Sequence, residues 1–186
     1  IVGADMYSNG QMYEGAAFCY HGAPAGLSPV ANWISDGEQI YRGYQVDTAG
    51  DVNGDGYDDI MTSEILFDAG QENEGRAYLF YGSANGPSTT PDWVVDGDID
   101  YIYFGSSVGT AGDVNNDGYD DILVSARQYS GFEGNEGRVY LYYGSASGPS
   151  TTEDWTAESN CETAYLGGQV STAGDVNGDG YADIIV

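Results

Sequence analysis

Three copies of one acidic stretch carry the side chains best suited to chemistry in this sequence. The first copy, Asp-Val-Asn-Gly-Asp-Gly-Tyr-Asp-Asp, spans residues 51–59, and it returns at residues 113–121 and 175–183, 62 residues later each time. Oxygen-bearing side chains fall at places one, three, five and nine, and the seventh-place Tyr can offer its backbone carbonyl. These candidate ligands are Asp51, Asn53, Asp55, Tyr57, Asp59, Asp113, Asn115, Asp117, Tyr119, Asp121, Asp175, Asn177, Asp179, Tyr181 and Asp183.

Hard oxygen ligands at this spacing favour Ca²⁺, which takes six to eight oxygens. The loop can surround the ion only if its backbone turns sharply, and a glycine holds place six in every copy. The alternative is that Asn-Gly and Asp-Gly merely close β-hairpins. A hairpin turn does not require the ninth-place carboxylate, which all three copies retain. Place twelve is never Glu, so the loops are not EF-hands, and the sequence predicts three Ca²⁺ sites in strand–loop–strand units.

The composition excludes several classes of partner. The 186 residues include 30 acids, four Arg and no Lys, for a net charge of −26. Each of three bound Ca²⁺ ions would add two positive charges and leave −20, which is still strongly acidic. Such a field repels nucleic acid and anionic membranes, and no apolar run is long enough to span a bilayer. A surface without Lys favours a marine, halophilic or calcium-rich setting outside the cell, so we expect a secreted or cell-surface protein.

The repeat divides the chain into units 1–60, 61–122 and 123–186. Each unit holds four stretches expected to be short strands: one after the acidic stretch, one rich in aromatic residues, one around a Trp, and one that leads through Thr-Ala-Gly into the next acidic stretch. Gly and Pro residues, which favour turns, recur at matching places in each unit. No segment has the 3.6-residue period of an amphipathic helix.

Four-stranded units at a period near 60 predict an all-β fold, a β-propeller of four-stranded antiparallel blades. A radial neighbour on each side of a blade covers both of its faces. The run Asp121-Ile122-Leu123-Val124 is apolar without alternation, which is the pattern of a strand buried on both faces.

The unit resembles the FG-GAP repeat of integrin α-subunit propellers and their bacterial relatives over essentially the whole chain. The acidic stretch matches the family pattern D-x-[DN]-x-D-G-x-x-D in all three copies. The name-giving dipeptide is intact once and keeps only its Gly twice, at Phe104-Gly105, Arg42-Gly43 and Leu166-Gly167. The place of the Gly-Ala-Pro has diverged. The resemblance implies a metal in the hairpin between the first two strands of a blade, opposite the ligand-binding loops, with a structural role.

Three blades cannot close a ring, since propellers have about four to eight. Ile185-Val186 repeats the strand that Ile1-Val2 begins, so unit 1 begins within a blade and unit 3 ends within one. Either this is a segment of a larger propeller, which we favour, or copies associate into a ring. Further blades from the same or another chain are therefore expected partners.

Other recurring residues have two interpretations each. One Trp per unit could stack sugars, but its fixed position favours packing: Trp33, Trp93 and Trp155. The polar, Gly-containing stretches 6–15, 66–75 and 128–137 are expected to be long loops, named here the variable loops. One aromatic residue in each could contact a partner or cover a neighbouring blade: Tyr7, Phe67 and Tyr129. One Glu before a Gly could suggest paired catalytic acids, but one per blade separates them, so an Arg or backbone partner is expected: Glu14, Glu74 and Glu136. His21, the only histidine, is expected in a strand.

No catalytic set can be assembled, so we do not expect an enzyme. The first hypothesis is an extracellular, calcium-stabilised propeller that binds a protein or glycan in adhesion or surface assembly. The second is a substrate-docking propeller of a larger secreted enzyme, and a glycan-binding, lectin-like propeller is a further alternative. The third is a protein whose open ends pair between chains. Neither nucleic acid binding nor membrane insertion is expected.

Overall fold

The computed structural model describes residues 1–37 and 39–186, and in that part of the chain the structure is all-β. Its strands are β1 (Val2–Ala4), β2 (Ala16–Cys19), β3 (Gly22–Ala23), β4 (Gly26–Leu27), β5 (Trp33–Asp36), β6 (Val46–Gly50), β7 (Asp59–Glu64), β8 (Arg76–Phe80), β9 (Trp93–Asp96), β10 (Val108–Gly112), β11 (Asp121–Ala126), β12 (Arg138–Tyr142), β13 (Trp155–Glu158), β14 (Ser171–Gly174) and β15 (Asp183–Ile185). No helix occurs among these residues, which confirms the predicted fold class.

Two complete blades occupy the middle of the chain. Strands β6-β7-β8-β9 form one four-stranded antiparallel sheet in chain order, and β10-β11-β12-β13 form the next. Strands β1-β2-β5 correspond to the second to fourth strands of a blade, and β14-β15 to the first and second. A repeat unit such as 61–122 therefore supplies three strands to one sheet and the first strand to the next. Within residues 1–37 and 39–186, these sheets do not close into a ring.

The antiparallel order separates two ends of each blade. The acidic stretches, named here acidic loops 1, 2 and 3 (51–59, 113–121 and 175–183), lie at one end with the β8–β9 and β12–β13 turns. The β7–β8 and β9–β10 connections and their equivalents lie at the opposite end, named here the variable-loop end. This is the placement that the family resemblance implies.

The core lies between blades. Ile122, Leu123 and Val124 are successive residues of β11, and none of them is exposed. Ile122 and Val124 pack in a cluster with Met61 of the preceding blade, whereas Leu123 packs on the other face with Val170. The prediction that this strand is buried on both faces is confirmed, because a neighbouring sheet covers each side.

The recurring Trp is a packing residue wherever a following blade is present. Trp33 and Trp93 are 8% and 5% exposed. The indole N–H of Trp33 donates to the Ser88 carbonyl at 2.7 Å, and that of Trp93 donates to the Ser150 carbonyl at 2.8 Å. Each bond joins one blade to the next. Trp155 in β13 is 42% exposed.

The recurring Glu caps the variable loops through the backbone. Glu74 is 1% exposed; one carboxylate oxygen accepts the N–H of Ala69 at 2.5 Å, and the other accepts the N–H of Asp98 at 3.0 Å. Glu136 accepts the N–H of Gly131 at 2.6 Å, and Glu14 likewise accepts backbone N–H groups of its own loop. The predicted backbone partner is confirmed. These carboxylates fold loops and do not form catalytic pairs.

One blade replaces an apolar contact with a buried ion pair. The Nε of Arg42 lies 3.0 Å from an Oε of Glu64, both side chains are at most 2% exposed, and the guanidinium lies 3.6 Å from the Tyr78 ring centroid. One repeat later, the equivalent places hold Phe104 and Ala126, and the Phe104 ring packs edge-on against Tyr140. An ionic pair and an apolar pair thus fill the same space in successive blades.

The remaining predicted positions have local structural roles. Phe67 is buried beneath the guanidinium of Arg76, 3.6 Å from its ring centroid, so it covers its own sheet. Tyr129 stands 4.6 Å from the Arg138 guanidinium in the same way. The placement of His21 in a strand is wrong. β2 ends at Cys19 and β3 begins at Gly22, so His21 lies between these strands, where its N–H donates to the Asn32 side chain at 2.9 Å.

Candidate metal centre

Each acidic loop joins the first two strands of a blade. In the first complete blade, the pairing of β6 with β7 shifts register between Thr48 and Gly50, so the chain leaves the ladder just before Asp51. The sixth-place glycines have left-handed φ angles of 90°, 93° and 93° at Gly56, Gly118 and Gly180. A side chain would strain that backbone, which explains why glycine holds this place in all three loops.

The first-place Asp organises the turn of its loop. The Oδ1 of Asp51 accepts the N–H groups of Gly54 and Asp55 at 2.8 and 3.0 Å, and Oδ2 accepts that of Gly56 at 2.9 Å. Asp175 makes the same three bonds in acidic loop 3. The backbone hydrogen bonds, led by that from Gly180, lower the pKa of Asp175.

The third and fifth places continue the same network. The Oδ1 of Asn53 accepts the N–H of Asp55 at 2.9 Å, and the Oδ1 of Asp55 accepts the N–H of Tyr57 at 3.0 Å. The equivalent bonds recur with the same distances in acidic loops 2 and 3, at Asn115, Asp117 and Tyr119, and at Asn177, Asp179 and Tyr181. The same side chains at these places therefore make the same hydrogen bonds in all three loops.

The ninth-place Asp ties the loop to the next turn. Asp59 is completely buried at the start of β7; its Oδ2 accepts the N–H of Val52 at 3.1 Å, and its Oδ1 accepts the N–H of Gly82 at 2.7 Å. Asp121 repeats both bonds with Val114 and Gly144. Asp183 is half-buried and bonds Val176 at 2.9 Å.

The buried ninth-place carboxylates have raised pKa values. The pKa of Asp59 is raised to about 6, mainly by burial; hydrogen bonds from two backbone N–H groups partly offset this rise, and the carboxylates of Asp55 and Asp51 contribute to it. The pKa of Asp121 is raised to about 6 for the same reasons. A divalent cation in the loop would offset both the burial and the mutual repulsion.

The donor set fits Ca²⁺ in type and order. It offers three carboxylates, an amide oxygen and a backbone carbonyl within nine residues, all hard oxygens. Each Asp59 oxygen accepts one hydrogen bond and so keeps lone-pair capacity. Across residues 1–37 and 39–186, however, no three Asp, Glu, His or Cys side chains cluster in the arrangement of a metal site. The carboxylates instead accept hydrogen bonds from backbone amides of their own loops and of the turns that follow.

The variable-loop end presents repeated tyrosines in an unusual backbone conformation. Tyr41, Tyr103 and Tyr165 precede the place of the Phe-Gly dipeptide, and their φ angles are 64°, 53° and 52°. The N–H of each donates to a residue of the adjacent variable loop that also has positive φ; for Tyr165 that partner is Asn135, at 3.1 Å. This conformation was not predicted, although Tyr recurs at the same place in all three units.

The eighth place of the acidic loops was not predicted to have a role, because it varies between Asp58, Asp120 and Ala182. In the structure, Asp120 is half-buried between two blades and its side chain accepts the N–H of Asp51 at 2.9 Å. Variation at this place therefore marks a difference between blade interfaces.

Comparison with known proteins agrees with the loops and the blades. The FG-GAP repeat family matches residues 42–80, 104–142 and 166–186, which together make up more than half of the chain. This chain belongs to the FG-GAP repeat family. Each match begins just before the first strand of a blade, and the two complete matches end with the third strand.

The relatives are integrin α subunits. The chain is 33% identical over 161 residues to integrin alpha-5 of Xenopus laevis and 36% identical over 160 residues to integrin alpha-IIb of Mus musculus, in each case 81% of this chain and 15% of the relative. It is 31% identical over 169 residues to integrin alpha-V of Gallus gallus. The chain thus spans about a seventh of the length of these relatives.

Two further observations concern the setting of the protein. The described residues, 1–37 and 39–186, include no helix with the length and apolar character needed to cross a membrane. Cys19 is half-buried, Cys161 is exposed, and neither is in a disulfide in this part of the chain.

Proposed function

We propose that this FG-GAP chain is a non-catalytic, extracellular recognition or adhesion module whose three acidic loops each bind one Ca²⁺. Calcium would stabilise the hairpin between the first two strands of each blade, and recognition of a protein or glycan would use the variable-loop end. The family membership and the similarity to integrin α subunits support an adhesion role.

The observation that carries the calcium assignment is the buried ninth-place Asp. Asp59 has no exposed surface, sits beside two further carboxylates, and connects its loop to Gly82 of the following turn. Burying a carboxylate without a counter-charge is costly. Bound Ca²⁺ would supply that charge, so metal binding and the order of the whole loop end become linked.

Thermal unfolding tests this assignment. We expect excess EGTA to lower the Tm by several degrees or more, and added CaCl₂, but not MgCl₂ at the same ionic strength, to restore it. Asp55→Asn should reduce the calcium-dependent rise because it removes a fifth-place carboxylate. Asp58→Asn removes the same charge from an exposed eighth-place side chain and should leave the rise unchanged. Melting curves that are identical in CaCl₂ and EGTA would refute the assignment.

The variable-loop end supports the recognition assignment. Tyr13, Tyr101 and Tyr165 are 47%, 46% and 45% exposed there, and all three have positive φ. Such backbone strain costs roughly 1–3 kcal/mol per residue, persists where surrounding structure imposes it, and concentrates at binding sites. Rigid, exposed aromatic side chains are well suited to contact a partner at low entropic cost.

A panel of immobilised glycans and extracellular-matrix proteins tests that role. Protein-coated beads should adhere to at least one panel member in CaCl₂, and adhesion should fall at least tenfold with Tyr101→Ser combined with Tyr165→Ser. Leu27→Ser is the matched control, since Leu27 is 73% exposed in the β3–β4 hairpin at the acidic-loop end. Adhesion lost equally in the control, or unaffected by the tyrosine changes, would contradict the assignment.

A further inference from the structure

Neighbouring acidic loops are bonded directly to each other. The backbone N–H of Asp120 donates to the carbonyl of Asp51 at 3.1 Å, and the N–H of Asp51 donates back to the Oδ2 of Asp120 at 2.9 Å. Asp51 holds the first place of acidic loop 1. Asp120 lies between the seventh- and ninth-place residues of acidic loop 2. The two bonds therefore join the candidate ligand sets of two blades.

Further contacts hold acidic loop 1 against acidic loop 2. The ring of Tyr119 lies so close to Gly54 that a Cβ on that glycine would stand 2.6 Å from the ring. The N–H of Ser145 donates to the carbonyl of Val52 at 3.0 Å, next to Gly144, whose own N–H is held by Asp121. Acidic loop 1 thus rests on acidic loop 2 and on the turn that acidic loop 2 fixes.

The junction between acidic loops 2 and 3 has the backbone hydrogen bond but lacks the side-chain hydrogen bond. The N–H of Ala182 donates to the carbonyl of Asp113 at 3.0 Å, which repeats the backbone bond. A Cβ built on Gly112 would lie 2.9 Å from the Ala182 Cβ, just as one built on Gly50 would lie 2.8 Å from the Asp120 Cβ. Ala182 therefore occupies the place of Asp120 without a carboxylate to hold the N–H of Asp113.

From these contacts we propose that Asp120 couples acidic loops 1 and 2, so that they bind Ca²⁺ cooperatively, whereas acidic loop 3 binds more independently. The inference rests on the proposed function. Calcium at loop 2 orders the chain around Tyr119 and Asp121 and so fixes the carboxylate that holds Asp51. Binding of Ca²⁺ at loop 1 then requires less ordering of the chain. By thermodynamic reciprocity, Ca²⁺ at loop 1 raises the Ca²⁺ affinity of loop 2 by the same factor.

Calorimetric titration with CaCl₂ of the chelated chain tests the coupling. The background carries Asp175→Asn and Asp179→Asn, so that only loops 1 and 2 are filled. We expect the second Ca²⁺ to bind about tenfold more tightly than the first, after statistical correction. Asp120→Ala should reduce this factor to about one. Asp58→Ala is the matched control, an exposed acid at the same place in loop 1, and should keep the tenfold factor.

A gain-of-function variant controls for loss of cooperativity through misfolding of the Asp120→Ala variant. Ala182→Asp, in a background with loop 1 disabled by Asp51→Asn and Asp55→Asn, should create cooperativity between loops 2 and 3 that its parent lacks. Independent binding in the parental two-loop protein, or unchanged cooperativity in Asp120→Ala, would overturn the coupling while leaving calcium binding intact. Absence of any calcium-binding heat would instead overturn the proposed function, and the coupling with it.

Discussion

Glu74→Gln is the sharpest test of how the variable-loop end is held. The Glu74 carboxylate is 1% exposed and accepts N–H groups from opposite sides, Ala69 on one oxygen and Asp98 on the other. A Gln amide keeps a single oxygen, so one of the two sides would face its NH₂ group, donor against donor. Losing a hydrogen bond to a charged acceptor costs roughly 1.5–3 kcal/mol. With the facing donors included, we expect a loss of about 3 kcal/mol in unfolding free energy.

In a chain of this size, each kcal/mol lowers the Tm by roughly 2–4 °C, so the expected decrease is about 6–12 °C. Differential scanning calorimetry in CaCl₂ measures it. Glu133→Gln makes the same chemical change on an exposed side chain of the next variable loop, and it should move the Tm by no more than about 1 °C. Equal melting temperatures for the two variants would refute the claim that the buried carboxylate fixes the loop.

The other predictions concern the interfaces between blades. Trp93→Phe should cost about 1–2 kcal/mol of unfolding free energy, because it leaves a carbonyl of the next blade without its donor. Trp155→Phe should cost under about 0.5 kcal/mol, because Trp155 is exposed. Equal costs for the two variants in denaturant melts would contradict this prediction. Arg42→Phe and Glu64→Ala should each cost about 3–5 kcal/mol by leaving a buried charge, and the double variant, which installs the apolar pair of the next blade, should recover most of that loss. Strictly additive costs in the double-mutant cycle would show that the pair is not coupled.

Local features of the sequence were sufficient to predict the blades. A run without alternation at Ile122, Leu123 and Val124 indicates burial on both faces, and a Trp at one place in every unit indicates packing. These inferences hold for β11, Trp33 and Trp93 because each has a neighbouring blade on the relevant side. The same reasoning does not apply to Trp155, which is 42% exposed in the described structure.

The contacts between loops could not be predicted in the same way. The bond from Asp51 to Asp120 joins residues 69 positions apart, and it depends on how one sheet is rotated against the next. No periodicity of the sequence records that rotation. The left-handed tyrosines were equally hidden, because Tyr has no intrinsic preference for positive φ and adopts it only where surrounding hydrogen bonds impose it. Both features lie in loops, where tertiary geometry rather than strand pattern decides the conformation.

Counting the Ca²⁺ bound per chain tests the central claim most directly. Equilibrium dialysis of the chelated protein against about 5 mM free Ca²⁺, above the range of weak extracellular sites, should give three bound ions per chain. Replacing the first- and fifth-place Asp of any one acidic loop by Asn should reduce the count to two, whichever loop is changed. A count clearly below three bound ions per chain under these conditions would contradict the claim, because all three loops present the same side chains at places one, three, five and nine.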